Sequence, residues 1–80
     1  MKELIVETAG RVWQFLGENG EAELVTLPKH LKEKNETVFQ SLGWLAREEK
    51  IIYSINNDKT FVKLADSELQ IFQTAVQNTR

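Results

Sequence analysis

The sequence predicts a small α+β domain, in which helices build the core and a two-stranded hairpin lies beside them. Three observations carry this prediction. Val38, Leu42 and Leu45 recur at i, i+4 and i+7, which places them on one face of a helix. The residues after that helix, Ile51–Ile55, are mostly β-branched or aromatic and suit a strand. A start signal at Thr26–Pro28 places a shorter helix before the main one, so the two form a helix-turn-helix.

The first helix is predicted from Lys2 to about Gly17. Gly17 and Gly20 bracket the turn that ends it, because glycine takes the left-handed conformation without steric cost. A short edge strand is predicted next, within Glu21–Val25, from a weak alternation of apolar and polar residues. Four apolar residues recur at helical spacing on the core face of the first helix: Ile5, Ala9, Val12 and Leu16.

The second and third helices are predicted to be separated by a few residues only. The second starts after Thr26 and runs to Glu33 or Lys34. Asn35 is the predicted N-cap of the third helix, because its short side chain can accept hydrogen bonds from the first-turn amides. That helix should therefore begin near Glu36.

Gly43 lies inside the third helix, where glycine costs about 1 kcal/mol relative to alanine. We therefore expect a packing reason for it. Either another backbone approaches there, or a bulky side chain such as Trp13 or Phe72 covers it. Ser41, on the semi-buried side of the same helix, is expected to allow close packing rather than to act as a nucleophile.

The two strands after the third helix are predicted at Ile51–Ile55 and Thr60–Leu64, joined by a turn. The turn residues Asn56, Asn57 and Asp58 tolerate a positive φ, which hairpin turns require. We therefore predict that the two strands and their turn form a short hairpin.

The last helix is predicted from Ser67, in a capping box with Gln70, to about Gln77. The first and last helices carry more apolar residues than their core faces need, and a wide exposed apolar patch marks an interface. We therefore expect a homodimer; the alternative is that the two helices pack on each other within one chain. The candidate interface residues are Leu4, Val6, Trp13, Phe15, Ile71 and Ala75.

Composition excludes several classes of function. The 80 residues have room for a single domain, residues 1–80, with a thin core. There is no cysteine, and the one histidine, His30, is expected at the surface without partners for a metal site or a catalytic dyad. We expect no enzymatic activity, no cofactor and no metal. No apolar segment approaches the roughly 20 residues of a membrane span, so a cytoplasmic protein without membrane contact is expected.

Charge is unevenly distributed along the chain. The net charge is −2, from 10 basic and 12 acidic residues. Residues 1–25 carry two basic and five acidic residues, whereas residues 26–50 carry five basic and four acidic ones. The middle of the chain is therefore mildly positive, which can orient a polyanion but is not the basic stripe of a strong nucleic-acid binder.

Residues 27–54, LPKHLKEKNETVFQSLGWLAREEKIIYS, resemble the second and third helices and the wing of bacterial winged-helix regulators. The runs AGRVW, residues 9–13, and GWLARE, residues 43–48, resemble more closely a family of small bacterial winged-helix proteins of unassigned function. The resemblance implies a winged helix-turn-helix fold: a three-helix core, a two-stranded wing hairpin joined by a short third strand, and an extra C-terminal helix. It implies no particular activity.

In DNA-binding winged helices the third helix enters the major groove, so the resemblance implies double-stranded DNA as a partner. The exposed face of the third helix is expected to carry Glu36, Thr37, Gln40, Gly43, Trp44 and Arg47. The carboxylate of Glu36 would be repelled by phosphate. Glu49 stands where many winged helices place glycine, so the turn after the third helix is expected to differ. The candidate DNA contacts are Lys29, Lys32, Lys34, Arg47 and Lys59 at phosphates, and Thr37 and Gln40 at bases.

Two functions stay open at this point. The fold, the mildly positive middle segment and Arg47 favour a small DNA-binding transcriptional regulator. The acidic composition, Glu36 and an exposed Trp44 favour a protein-interaction module on the same scaffold that binds no DNA. In the second case the lysines of the second helix form an ordinary solvated face.

Overall fold

The computed structural model, which describes residues 2–78, has the predicted α+β architecture, with helices packed against a small antiparallel sheet. The elements are α1 Lys2–Asn19, β1 Glu21–Glu23, a one-turn 3-10 helix Leu24–Thr26, α2 Leu27–Leu31, α3 Asn35–Arg47, β2 Ile51–Asn56, β3 Lys59–Leu64 and α4 Asp66–Asn78. None of the helices in the described residues combines the length and apolar composition that a membrane span requires.

The sheet has the strand order β1-β3-β2, with both pairs antiparallel. β2 pairs with β3 along its full length, and the two-residue turn between them has positive φ at both residues, 53° at Asn57 and 64° at Asp58. That geometry is a type I′ turn, whose twist matches the flanking strands. The predicted hairpin is confirmed, with each strand one residue longer than expected. The first strand is shorter than predicted, because the chain turns into the 3-10 helix after Glu23.

The core lies between α1, α3 and the inner face of the sheet, and it confirms the predicted faces of both long helices. The three residues that defined α3 in the sequence are almost fully buried, with Val38 at 0%, Leu42 at 1% and Leu45 at 2% exposure. Buried apolar residues of the other elements complete the cluster: Ala9, Val12, Leu16, Leu27, Leu31, Ile51, Val62, Leu64 and Phe72.

Close contact between α1 and α3 depends on a small polar residue. Ser41 is fully buried, and its hydroxyl lies 2.8 Å from the carbonyl oxygen of Thr37 and 3.0 Å from that of Ile5 in α1. A serine at this point satisfies its hydroxyl on backbone acceptors and lets the helices approach. The packing role predicted for Ser41 is confirmed.

α1 ends two residues after its predicted end at about Gly17, and the predicted left-handed turn at Gly20 is confirmed. The helix continues to Asn19, and the turn is made by Gly20, which has φ 86° and donates its amide to the carbonyl of Leu16. Gly17 instead lies under α4, where an added Cβ would come within 2.6 Å of three ring carbons of Phe72. A glycine is needed there because the buried aromatic ring occupies the side-chain space.

The predicted packing reason for Gly43 is wrong. Apart from its chain neighbours and the nearby backbone of α3, no heavy atom of the described residues lies within 4 Å of the Cβ position that a side chain would occupy there. Trp13 and Phe72, the expected neighbours, instead contact each other edge to face, with ring centroids 5.4 Å apart. The glycine that accommodates an aromatic ring is therefore Gly17 on α1, and the ring is that of Phe72 on α4.

Three helix boundaries differ from the predictions. α2 ends at Leu31, because Lys32 adopts a left-handed conformation with φ 55°. α3 begins one residue early, with Lys34 at the N-cap position, so Asn35 is inside the helix rather than capping it. α4 begins at Asp66, before Ser67, and the amide of Leu69 bonds to the carbonyl of Ala65. Local backbone geometry therefore decides these ends more than side-chain capping does.

The turn after α3 is of the kind that a glycine makes, so the difference expected from Glu49 is not found. Glu49 has φ 59°; its amide bonds to the carbonyl of Ala46, and that of Lys50 bonds to the carbonyl of Leu45. This pair of bonds is a Schellman motif, whose left-handed position glycine occupies most easily. A glutamate there keeps the turn at a cost in backbone strain.

Candidate nucleic-acid interface

The outward face of α3 is a polar stripe that runs the length of the helix. Glu36, Gln40, Gly43 and Arg47 are exposed and follow one another at i, i+4, i+7 and i+11. At a rise of about 1.5 Å per residue, Gln40 and Arg47 are roughly 10 Å apart along the axis. Gly43 lies between them, and no other element of the described residues lies beside it, so the backbone of α3 is accessible at the middle of its exposed face.

A second polar surface adjoins the N-terminal end of α3. Lys29, Lys32 and Lys34 line one shallow groove of about 600 Å³, together with Glu33 and Asn35. The early end of α2 contributes to this, because the left-handed turn at Lys32 keeps the three lysines on one surface. The structure therefore brings together the three lysines that the sequence singled out.

None of these lysines forms an ion pair in the part of the chain that the structure describes. Among the described residues the ion pairs are Arg11–Glu33, at 3.4 Å, and Lys50–Glu68, at 3.7 Å. Arg11 also donates to the carbonyl of Leu31, so this cation of α1 holds the acidic residue of the lysine groove and the end of α2. The carboxylate of Glu33 therefore pairs with the guanidinium of Arg11, and it also accepts a hydrogen bond of 3.1 Å from the backbone amide of Lys34.

The two candidate base contacts have different surroundings. Gln40 is exposed and lines a groove with Lys34 and Glu36, which connects it to the lysine surface. Thr37, expected on the exposed face, is 6% exposed and faces the core side of α3. The prediction that Thr37 is exposed is wrong, because its position one turn before Ser41 places it on the side that packs on α1.

The remaining two candidate cations lie apart from the lysine groove. Arg47 is exposed in the last turn of α3, and Lys59 is exposed at the first position of β3, beside the wing turn. Among residues 2–78, no three histidine, aspartate or glutamate side chains come together as a metal site. The chemistry of this surface is therefore that of cations and amides.

The family of the chain follows from its sequence. Residues 1–64 match the family model of a winged helix-turn-helix domain, DUF2582. The chain belongs to this family. It is also 38% identical over 63 residues to MJ1608 of Methanocaldococcus jannaschii, which is described as an uncharacterized protein; the match covers 75% of this chain and 89% of MJ1608.

Solved structures show the same fold. A mutant of ZitR from Lactococcus lactis superposes with a TM-score of 0.78 at 16% sequence identity, over 89% of this chain and 50% of that one. The apo form of the same mutant also gives a TM-score of 0.78, over 96% of this chain and 60% of that one. This chain therefore spans about half the length of the ZitR chains it resembles, and the likeness concerns the winged-helix fold.

Within this DUF2582 protein, α4 lies beyond the residues that match the family model. Its Glu68 accepts a hydrogen bond of 2.9 Å from the indole nitrogen of Trp13 and pairs with Lys50. Trp13, Lys50 and Glu68, together with Trp44 and Ile71, line an apolar groove of about 410 Å³ between α1, α3 and α4. The fourth helix therefore adds a concave apolar surface to the winged-helix core.

The candidate dimer residues fall into two groups. Trp13 packs on Phe72, and the ring of Phe15 stacks on that of exposed His30, with centroids 5.3 Å apart. Both aromatic residues therefore contact their own chain. The other four candidates are exposed on α1 and α4: Leu4, Val6, Ile71 and Ala75.

Two exposed apolar surfaces were not predicted as sites. Phe39 is 41% exposed on α3 beside the polar stripe. On β2, Ile52, Tyr53 and Ile55 are exposed, Ile55 to 78%, and partial burial raises the pKa of Tyr53 above its usual value. The sequence signal for this surface was the composition of β2, which is mostly apolar and contains no charged residue.

Proposed function

We propose that this protein is a small DNA-binding transcriptional regulator without catalytic activity, located in the cytoplasm. The observation that carries the proposal is the exposed face of α3, where Gly43 leaves bare backbone between Gln40 and Arg47. A glycine inside a helix costs about 1 kcal/mol relative to alanine. Because no other described part of the chain fills the space beside it, an external partner can approach the backbone of α3 closely at this point.

Double-stranded DNA fits the polar groups around that position. The third helix of a winged-helix domain enters the major groove, where a glutamine amide can bond in bidentate fashion to adenine. Gln40 supplies that amide in this chain. The lysines at the N-terminal end of α3, with Arg47 and Lys59, supply cations for phosphates on either side, because none of them forms an ion pair among the described residues.

The size of the electrostatic contribution follows from the number of these cations. About four or five phosphate contacts per subunit predict a slope of roughly −4 for log K against log salt, and about twice that for a dimer. The net charge of −2 and the nearby Glu36 weaken non-specific binding, so sub-micromolar affinity is expected only for a specific site at low salt.

The proposal is tested by replacing single lysines and measuring DNA binding across a salt series by fluorescence anisotropy. Lys32→Gln should weaken binding to every duplex and reduce the salt slope by about 1. Lys63→Gln removes the same charge from an exposed position on β3 outside the candidate surface, and should change neither quantity. Equal effects of the two variants would refute the assignment of the lysine groove to phosphate.

Gly43→Ala gives a second test, because its effects on folding and on binding have opposite signs. The alanine methyl enters open space, so the free energy of unfolding should rise by about 1 kcal/mol. The same methyl obstructs close approach to α3, so DNA affinity should fall. Gly10→Ala is the matched control, since Gly10 is also an exposed helical glycine with open space beside it, and it should raise stability without changing affinity.

A protein-interaction module is the second candidate function. It is favoured by the aromatic residues Phe39 and Trp44, which are 41% and 38% exposed on α3, and by the acidic Glu36 on the same helix. Aromatic residues are enriched at protein interfaces. This function would be favoured if the protein bound no duplex at low salt while Gly43→Ala and Gly10→Ala still raised the free energy of unfolding.

We also propose that the protein is a homodimer. Exposed apolar side chains on the helical face formed by Leu4, Val6, Ile71 and Ala75, and on β2, support an association of two copies. Light scattering behind size exclusion, at tens of micromolar protein, should give about twice the chain mass of 9.2 kDa. A single species at the chain mass would contradict it.

A further inference from the structure

The outer edge of β2 is open along the whole strand. β3 is the central strand of the sheet, so β2 pairs on one side only. In the part of the chain that the structure describes, no hydrogen bond beyond those of the β2–β3 ladder involves a residue of β2. An open strand edge is a template on which another strand can pair.

The two edges of this sheet differ in how they are protected. β1 is three residues long and carries Glu21 and Glu23, after which the chain turns away. β2 is six residues long, IIYSIN, with no charged residue and no proline. Short length and charge are the usual means of blocking an edge against pairing. β1 has both, and β2 has neither.

The register of β2 on β3 determines which backbone groups face outward. Asn56 and Lys59 close the two-residue turn, and the amide of Ala65 bonds to the carbonyl of Lys50, so even-numbered residues of this segment bond to β3. In an antiparallel pair, alternate residues direct their backbone groups to opposite sides of the strand. The outward groups therefore belong to Ile51, Tyr53 and Ile55.

We propose that β2 pairs antiparallel with β2 of a second copy, with Tyr53 opposite Tyr53 of the partner subunit on the two-fold axis. A symmetric antiparallel pair can be centred on a hydrogen-bonded or on a non-hydrogen-bonded residue pair, and Tyr53 is the centre that engages all three outward residues of β2. Ile51 then pairs with the partner's Ile55, and about six backbone hydrogen bonds form. The two three-stranded sheets become one continuous six-stranded sheet.

The partner is a second copy because the strand is complementary to itself. Self-pairing in this register places apolar or neutral residues opposite one another throughout, and no like charges meet. Tyr53 and Ile55 are 43% and 78% exposed in the single chain. In the joined sheet their side chains lie on one face, where the side chains of the partner strand pack beside them. This inference rests on the proposed homodimer and names its interface, in place of the helical face formed by Leu4, Val6, Ile71 and Ala75.

The inference is tested without DNA by two lysine variants one residue apart. Tyr53→Lys places two ammonium groups opposite each other across the axis, so the species measured by light scattering should fall to the chain mass of 9.2 kDa. Ser54→Lys adds the same charge on the other face of the strand, opposite the partner's Ile52, and should stay a dimer. Far-UV circular dichroism of both variants serves as the control and should show that they are folded.

Cysteine cross-linking tests the register itself, because the chain contains no cysteine. Residues in a hydrogen-bonded antiparallel pair have Cα atoms about 5.5 Å apart, within the range of a disulfide. Tyr53→Cys should therefore form a covalent dimer under mild oxidation, at least about ten times faster than Ser54→Cys. This comparison supports or overturns the register through cross-linking rates alone.

Three outcomes overturn the inference. A wild-type protein at the chain mass overturns it together with the homodimer. A dimer that Tyr53→Lys leaves intact, or that Ile71→Lys on α4 dissociates instead, overturns the β2 interface but keeps the homodimer. Equal cross-linking rates for the two cysteine variants exclude the Tyr53-centred register. None of these outcomes bears on DNA binding, which the salt series measures separately.

Discussion

Gly17 gives a prediction whose magnitude can be worked out from neighbouring side chains. In Gly17→Ala the new methyl carbon would come within 2.6 Å of three ring carbons of Phe72, well inside van der Waals contact. The ring has little room to move away, because it is 7% exposed and packs edge to face on Trp13. Overpacking of this kind costs about 1–3 kcal/mol.

A glycine in the same helix isolates that cost. Gly17→Ala and Gly10→Ala both gain about 1 kcal/mol of helix propensity, but only the first meets another side chain. The difference between the two variants is therefore the overpacking energy, about 1–3 kcal/mol. At about 4–8 °C per kcal/mol for a domain of this size, Gly10→Ala should melt above wild type and Gly17→Ala well below Gly10→Ala.

The assay is urea unfolding followed by far-UV circular dichroism, with each variant also prepared in a Phe72→Leu background. Removal of the ring should let Gly17→Ala recover most of its helix-propensity gain, which a double-mutant cycle would show as a coupling energy between the two sites. A Gly17→Ala variant as stable as Gly10→Ala in the wild-type background would refute the close packing of α4 on α1.

Three further predictions concern the core, the end of α3 and the wing. Leu42→Asp buries a carboxylate at a 1% exposed position and should cost several kcal/mol, leaving the chain unfolded by circular dichroism, whereas Gln40→Asp on the exposed face should melt close to wild type. Glu49→Gly removes the strain of a φ of 59° and should raise the free energy of unfolding by about 1 kcal/mol; a loss of stability in urea would contradict the Schellman motif. Burial raises the pKa of Tyr53 above 10.0, so the folded state holds this proton more tightly, and the associated stability should be present at lower pH and be lost as pH rises through the folded pKa. Absorbance titration of this single tyrosine should give a higher midpoint in buffer than in urea, and Tyr53→Phe should remove that part of the alkaline destabilisation.

The order of elements could be predicted because apolar spacing and turn chemistry agreed along the chain. The buried residues Val38, Leu42 and Leu45 and the Asn57–Asp58 turn each left a clear local signal. The helix ends were less predictable, because Lys32 and Glu49 adopt left-handed conformations that side chains of their type rarely take. Gly17 and Gly43 could not be distinguished from sequence, since the reason for a glycine lies in the neighbours that the fold brings to it.

The candidate site was predicted only in part for a similar reason. The charge pattern identified Lys29, Lys32 and Lys34, which the structure places on one groove. Helical phase alone did not show that Thr37 points to the core side, because the width of the buried face of α3 depends on how closely α1 approaches through Ser41. The open edge of β2 depends on strand order, which a sequence pattern does not contain.

An NMR titration of labelled protein with a short mixed-sequence duplex at about 50 mM salt tests DNA binding most directly, since even weak electrostatic binding is visible there. If the protein binds DNA as proposed, amide shifts should be confined to Lys29–Lys34, to Gln40, Gly43 and Arg47 on α3, and to the Asn56–Thr60 wing. An absence of shifts, or shifts centred on Trp13 and Phe72 between α1 and α4, would contradict it and favour the protein-interaction module.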